Sequence, residues 1–395
     1  MTDDRRDPTY AEIVWGQFVK RPLAHGSMWG VIGLFLLAVF VPVLASNKPF
    51  LWIGPDGMQL PWLASLFDRN FYESSVDIFF NALLLPGTPL AAVGVWWWRR
   101  GGERRMRRVG LLSGIWAASL LLILAVPYQA PKEVFPRLQE QIEASGESVT
   151  AIYAPLPYSP RDFDLTASRH SISADHPLGT DNAGRDVLTR LLYGTRISLT
   201  IGVFAVLLYV SVGTIVGSIA GYYGGWTDII VLRVIEVVMA IPSLFLILAL
   251  AAFIEQRSIF HIMVIIAAVA WTRPARLVRG EFLRLRQLDF VSAARAAGFR
   301  EHTIIFREIL PNALGPVLVN ATFGVASAIL VESTISFLGL GDITVPSWGQ
   351  ILNTGRTTGI WTLILAPGFA IFVTVGLLNL VGEGVRDAMD PKLRM

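Results

Sequence analysis

Apolar runs of about twenty residues, the length that spans a bilayer as a helix, recur along this chain between polar, arginine-rich stretches. Met28 to Ala45 is the first, long enough to cross a hydrocarbon core of about 30 Å at about 1.5 Å per residue. Asp77 to Trp98 is the second; Asn81, Pro86 and Pro89 weaken it, because proline inside a helix removes a backbone bond. Trp96, Trp97 and Trp98 form an interfacial belt at its end, followed by Arg99, Arg100, Arg104, Arg105, Arg107 and Arg108. Val109 to Val126 leads back out. Further spans are expected at Ile197 to Ala220, at Ile229 to Ile254 with a kink at Pro242, at Ile259 to Trp271, at Ala313 to Leu338 and at Trp361 to Val381. The count is eight, with both termini cytoplasmic.

The polar stretches set the orientation, because arginine and lysine stay on the inner face. Residues 1–26 carry Arg5, Arg6, Lys20 and Arg21 and read as a cytoplasmic tail, with an amphipathic helix over Tyr10 to Val19. Gly54-Pro55-Asp56-Gly57 and Pro61 fall in an external loop. Residues 128–196 form a long external segment whose prolines argue against continuous helix, although Glu133 to Ser145 fits one. Arg185, Arg190 and Arg196 there run against the charge rule, with Asp181 and Asp186 as the neighbouring acids. Gly221 to Asp228 makes a tight inner turn. The densest basic stretch holds Arg273, Arg276, Arg279, Arg284, Arg286, Arg295, Arg300 and Arg307, and so lies in the cytoplasm. Within it Ala293, Ala294, Ala296 and Ala297 favour a short helix, and Gly298 stops it. A second helix is expected from about Glu301, before Pro311 opens the next span.

Composition agrees with a membrane protein. The chain has 395 residues, 53% hydrophobic and only 16% charged, against about 25% charged in soluble domains. The net charge of +3 is explained by orientation rather than by nucleic-acid binding. With no cysteine, disulfides, thiolate metal sites and cysteine nucleophiles are excluded. The lysines are Lys20, Lys48, Lys132 and Lys392, and none follows glycine, so no P-loop is present. The five histidines form no HExxH pair, and no G-x-S-x-G elbow occurs. No enzyme chemistry is visible.

Two features inside the spans have alternative readings. Gly213, Gly217 and Gly221 lie four apart on one helical face, where small residues permit close helix approach. That face serves packing within the chain, or a second subunit. Glu332 falls inside a span, where a carboxylate faces a cavity or a partner. A hydrogen bond to a neighbouring helix is favoured over a place on a substrate pathway. Arg233 and Glu236 read as a local pair, and His170 and His176 as surface or packing residues.

Asp289-Phe290-Val291-Ser292-Ala293-Ala294, with Gly298 and then Leu310-Pro311, resembles the EAA loop of ABC importer permeases, with Ser292 where the motif has Glu. The likeness extends over His176 to Asp181, Gly184 to Leu188, Arg196-Ile197-Ser198, Gly221 to Gly225, Ser336 to Gly341 and Val385 to Asp387 with Asp390-Pro391. It is a likeness to the dipeptide, oligopeptide and nickel permeases. Ala45 to Pro49 and the long segment before His176 resemble the oligopeptide and microcin C branch.

The resemblance implies an all-α type I importer fold in a bacterial inner membrane. It implies a second permease subunit, two ATPase subunits holding ATP and Mg, and an extracytoplasmic peptide-binding protein. It assigns Asp289, Ala293, Ala294, Gly298, Leu310 and Pro311 to ATPase coupling. The organisation is then a tail, first span and inserted hairpin over 1–127, an external segment over 128–196, and a permease core over 197–395 with its coupling loop at about 273–312. The hairpin departs from the family's single early span. The rival class is an ion-gradient-driven transporter or channel, which tends to carry several intramembrane acids or inverted repeats; Glu332 is nearly alone.

Overall fold

The computed structural model describes residues 10–54, 57–99, 105–125 and 150–390. The helix expected over Glu133 to Ser145, Arg100 and Arg104 of the arginine cluster, and Pro391 onward lie outside the described residues.

The helices are α1 (Tyr10–Val19), α2 (Pro22–Leu44), α3 (Pro61–Ser65), α4 (Ser75–Ala82), α5 (Thr88–Arg99), α6 (Arg105–Ala125), α7 (Val187–Tyr223), α8 (Gly225–Ala240), α9 (Ser243–Ala252), α10 (Ile259–Ala270), α11 (Thr272–Leu285), α12 (Asp289–Ala296), α13 (Glu301–Thr303), α14 (Leu310–Phe337), α15 (Trp348–Thr358) and α16 (Thr362–Met389). Five spans pass on length and hydropathy: Pro22–Leu44, Ser75–Arg99, Val187–Tyr223, Glu301–Phe337 and Thr362–Met389. Two bent pairs, α8 with α9 and α10 with α11, raise the number to seven, and the shorter apolar stretch Arg108–Ile123 is the return limb of the hairpin.

Proline accounts for the main breaks. Between α8 and α9 the axis turns by 83° at Ile241 and Pro242, because Pro242 has no N–H to continue the ladder. In the second span, α4 gives way to a π-turn over Leu83–Gly87 in which Leu85 is non-helical (φ −142°, ψ 111°), beside Pro86. A second π-turn, Ile304–Ile309, joins α13 to α14. The helix expected from Glu301 is therefore not separate from the span that follows, since helical backbone continues without a break through Pro311, which itself adds no N–H to the ladder. There the Leu310 N–H reaches back to the Ile305 carbonyl. Widening one turn is a known way to admit a residue that cannot sit in a regular α-ladder.

Helix α7 is the centre of the fold. Its 37 residues extend about 55 Å at 1.5 Å per residue, so its outer turns stand beyond a bilayer core of about 30 Å. It packs against α11, α14, α10 and α2, while α16 closes the bundle against α14, α2 and α15. The main core gathers Ile197 and Ile201 of α7, Ile262 and Ile266 of α10, and Ile329 of α14, together with Phe80 and Leu84 of the hairpin. The hairpin's first limb is thus part of the core. The tail is tied down by an Arg21–Asp387 ion pair between the start of α2 and the end of α16.

Segments between the helices form a small antiparallel sheet, β2 (Gly57–Gln59), β1 (Leu51–Gly54) and β3 (Thr150–Ile152), in that order. The sequence reading has only a loop at β1 and β2. Trp52 pairs with Gln59 on one side and Ala151 on the other.

Candidate functional site

The basic loop folds as a short helix with one covered and one open face. Val291 and Ala294 of α12 are buried against Phe282, Ile304 and Ile309. Asp289, Phe290, Ser292, Ala293, Ala296 and Ala297 are exposed. The helix ends in a Schellman motif: the Phe299 N–H donates to the Ala294 carbonyl at 3.1 Å, and the Gly298 N–H to that of Arg295 at 3.0 Å. That closure requires Gly298 at φ 79°, a region open to glycine and strained for a β-branched residue. A side chain at Gly298 would meet only open space. The corner displays Leu288, Phe290 and Phe299, with Phe306 62% exposed on the π-turn beyond. Leu310 is half-buried and Pro311 exposed at the root of α14. The six residues assigned to coupling therefore belong to one elbow, Asp289 through Gly298 on its outer arm and Leu310-Pro311 where it enters the span.

The elbow is held to the bundle through α11. Gly213, Gly217 and Gly221 of α7 face α11 of the same chain. A Cβ at Gly213 would come within 2.6 Å of the Trp271 carbonyl oxygen, and one at Gly221 within 2.6 Å of Phe282 Cβ; one at Gly217 would overlap the Ala275 carbonyl. Arg279 of α11 forms a two-pronged pair with Asp228 in the first turn of α8, its second nitrogen at 2.6 Å. Arg286 Nη1 donates to the Tyr222 carbonyl at 3.0 Å, and the Arg295 guanidinium lies 5.6 Å from the Tyr222 ring.

The N-terminal end of α7 is built differently. Asp186 caps it, accepting from the Thr189 N–H at 2.6 Å and contacting His176 Nδ1 at 3.0 Å. Asp181 accepts from Arg185 Nε at 2.7 Å, and Arg190 approaches it to 3.6 Å. These pairs neutralise two of the three arginines that ran against the charge rule. The third, Arg196, is fully buried. Its Nη1 donates to Asp77 Oδ1 of the hairpin at 3.2 Å, its Nε to the Ala38 carbonyl at 2.7 Å and its Nη2 to the Val39 carbonyl at 3.2 Å. Ala38 lies four residues before Pro42 in α2, so its carbonyl has no helical N–H to accept from; the arginine takes that place. The rings of Phe80 and Tyr193 flank the guanidinium at 5.3 and 5.5 Å. The sequence reading missed this knot. Its signal was a lone arginine and a lone aspartate at the margins of two spans, since charges there are found paired.

Glu332 is also fully buried. Ser336 Oγ donates to it at 2.8 Å, with Ser333 and Ser198 Oγ at 3.4 and 3.5 Å. It lines no wall of the nearest cavity, a space of about 350 Å³ at the Pro242 break bounded by α7, α8, α9, α10, α11 and α14.

Residues 213–395 match the family described as binding-protein-dependent transport system inner membrane component, and residues 9–61 the N-terminal TM domain of oligopeptide transport permease C. The chain is 41% identical over 250 residues to the dipeptide transport system permease protein DppC of Alkalihalophilus pseudofirmus, covering 62% of this chain and 82% of that one. It is 40% identical over 243 residues to the glutathione transport system permease protein GsiD of Pectobacterium atrosepticum, covering 60% and 80%. It is 39% identical over 251 residues to the oligopeptide transport system permease protein OppC of Haemophilus influenzae, covering 62% and 80%. Among solved structures, the MetNI methionine ABC transporter aligns with a TM-score of 0.43 at 20% identity, over 51% of this chain and 97% of that one. With about four-fifths of each of these relatives matched at about two-fifths identity, the chain belongs to the family of binding-protein-dependent inner-membrane transport permeases that includes the dipeptide and oligopeptide permeases.

Proposed function

We propose that this permease carries short peptides inward as one half of a two-permease pathway, and that the elbow at Gly298 receives the push of an ATPase. The chain is a multi-pass inner-membrane subunit of an ABC transporter, and ATP is bound and hydrolysed by separate subunits. The peptide reading is carried by likeness to dipeptide, oligopeptide and glutathione permeases alike, since glutathione is itself a tripeptide. Ala45 to Pro49 and the long segment before His176 support the oligopeptide and microcin C branch. A second permease, two ATPase subunits and an extracytoplasmic binding protein complete the assembly. The exposed apolar elbow supports the coupling role of Asp289, Ala293, Ala294, Gly298, Leu310 and Pro311, because an apolar corner between charged neighbours suits a protein groove. Both termini lie in the cytoplasm in this reading. The hairpin is an addition to the family plan that braces the outer end.

The test is uptake of labelled di- and tripeptides into proteoliposomes holding the assembled complex. Uptake that needs both binding protein and internal ATP is the expected result. Uptake driven by a proton gradient without ATP would overturn the reading in favour of an ion-coupled carrier. The absence of cysteine makes orientation testable alongside: Thr166→Cys should label only from outside and Ser292→Cys only from the cytoplasm.

A further inference from the structure

The cavity of about 350 Å³ at the Pro242 break has a polar lining that the bundle does not use. Tyr209, on the middle of α7, is 6% exposed, yet its hydroxyl has no hydrogen-bond partner among the described residues. Gly324 of α14 makes room for that hydroxyl, since a Cβ there would overlap it. Asn320 and Ser327 of α14 lie along the same wall, and their side chains likewise lack partners among the described residues. A tyrosine hydroxyl and an amide left unpaired at membrane depth are costly unless water or a solute meets them.

The other side of the cavity is positive. The 83° turn at Pro242 leaves α9 starting inside the space, with Pro242 and Ser243 in its lining and no side chain capping its first turn. The first N–H groups of such a helix have no intrahelical acceptor and carry the positive end of its dipole. Arg273, on the first turn of α11, lines the same space and has no ion-pair partner among the described residues. A helix N-terminus and an arginine converging on one space form an anion site. Broken helices whose N-termini face a midplane cavity are the arrangement by which transporters hold carboxylates.

We propose that this cavity holds the C-terminal carboxylate of a transported peptide, with Arg273 and the start of α9 on the carboxylate and Asn320 and Tyr209 on the adjoining amide. The proposal rests on the peptide reading above, and adds a binding site within this one chain. A neutral or cationic solute would leave the Arg273 guanidinium and the α9 N–H groups without an acceptor.

The test uses the assembled complex with Ser327→Cys as the only cysteine of this chain. The alkylation rate by a membrane-impermeant maleimide is followed with di- and tripeptides of alanine and leucine, offered as free acids and as C-terminal amides. Free acids should slow labelling at least about fivefold and amides less than twofold. Adding Arg273→Gln should raise the peptide concentration for half-protection by about tenfold, the size of losing one charge-assisted bond. Equal protection by acids and amides, no protection by either, or no effect of Arg273→Gln would overturn the site. Uptake of the same peptides is measured in parallel. Uptake without protection overturns the site alone, protection without uptake overturns the import reading alone, and neither result overturns both.

Discussion

The two ends of this permease, outer and inner in the orientation proposed above, solve opposite problems. At the outer end Arg196 is fully buried and held by a carboxylate and two carbonyls from two other segments. At the inner end the elbow shows Leu288, Phe290, Phe299 and Phe306 to solvent, and its helix α12 buries only Val291 and Ala294 against the bundle. Buried ion pairs are weak sources of net stability but fix geometry strongly, because breaking one strands a charge. Exposed aromatics at a helix corner fix nothing until a partner covers them. On the proposed reading, the frame around Arg196 is complete within the chain, and the elbow is a handle that another protein completes.

The sharpest way to break this comparison is at Asp77. Asp77→Leu leaves the Arg196 guanidinium with backbone acceptors only, a loss of about 3–5 kcal/mol on the usual scale for a severed buried pair. The folded protein extracted in detergent should fall steeply and its thermal midpoint drop. Arg196→Met in the same chain should recover much of that loss, since both charges are then gone. A single variant as stable as the parent would show that the outer knot is ornamental.

The second probe asks whether the inner half is loose throughout or only at the elbow. Gly217 stands against the Ala275 backbone, so Gly217→Leu should push α7 and α11 apart at an overpacking cost of about 1–3 kcal/mol. Loss of folded protein is expected, whereas a change at the elbow should leave folding intact. Wild-type protein level with impaired transport would instead place the glycine face against a second subunit.

The smallest effect is expected at Glu332. Its shell of serine hydroxyls can bond an amide as well as a carboxylate, so Glu332→Gln should keep initial uptake within about twofold. An altered peptide preference at equal expression would put this residue on the pathway.

What the sequence made legible was local. The spans follow from apolar run length, the kink from Pro242, and the corner from the alanines that end at Gly298. What escaped was long-range or cooperative. Asp77 and Arg196 are 119 residues apart, and nothing in either neighbourhood names the other. The sheet pairs a strand of four residues with strands of three, too short to carry an alternation pattern. Pro311 suggested a fresh helix start, but helical backbone already runs into it from the π-turn before. The cavity escaped for a related reason, since Tyr209, Arg273 and Asn320 come from three helices and the turn at Pro242 adds the start of a fourth.

The central claim, that the elbow is the handle, rests most directly on Gly298. Its φ of 79° is required by the Schellman closure, and nothing crowds its missing side chain. Gly298→Val therefore strains the corner and adds bulk on the exposed side without disturbing the bundle. The measurement is ATP hydrolysis by the reconstituted complex, with and without loaded binding protein, at matched membrane levels of parent, Gly298→Ala and Gly298→Val. The account predicts near-normal membrane levels throughout, a mild defect for alanine, and loss of stimulated hydrolysis and of ATPase retention for valine. Full stimulation and normal uptake by Gly298→Val would contradict it, and would mean that the ATPase drives this permease through another surface.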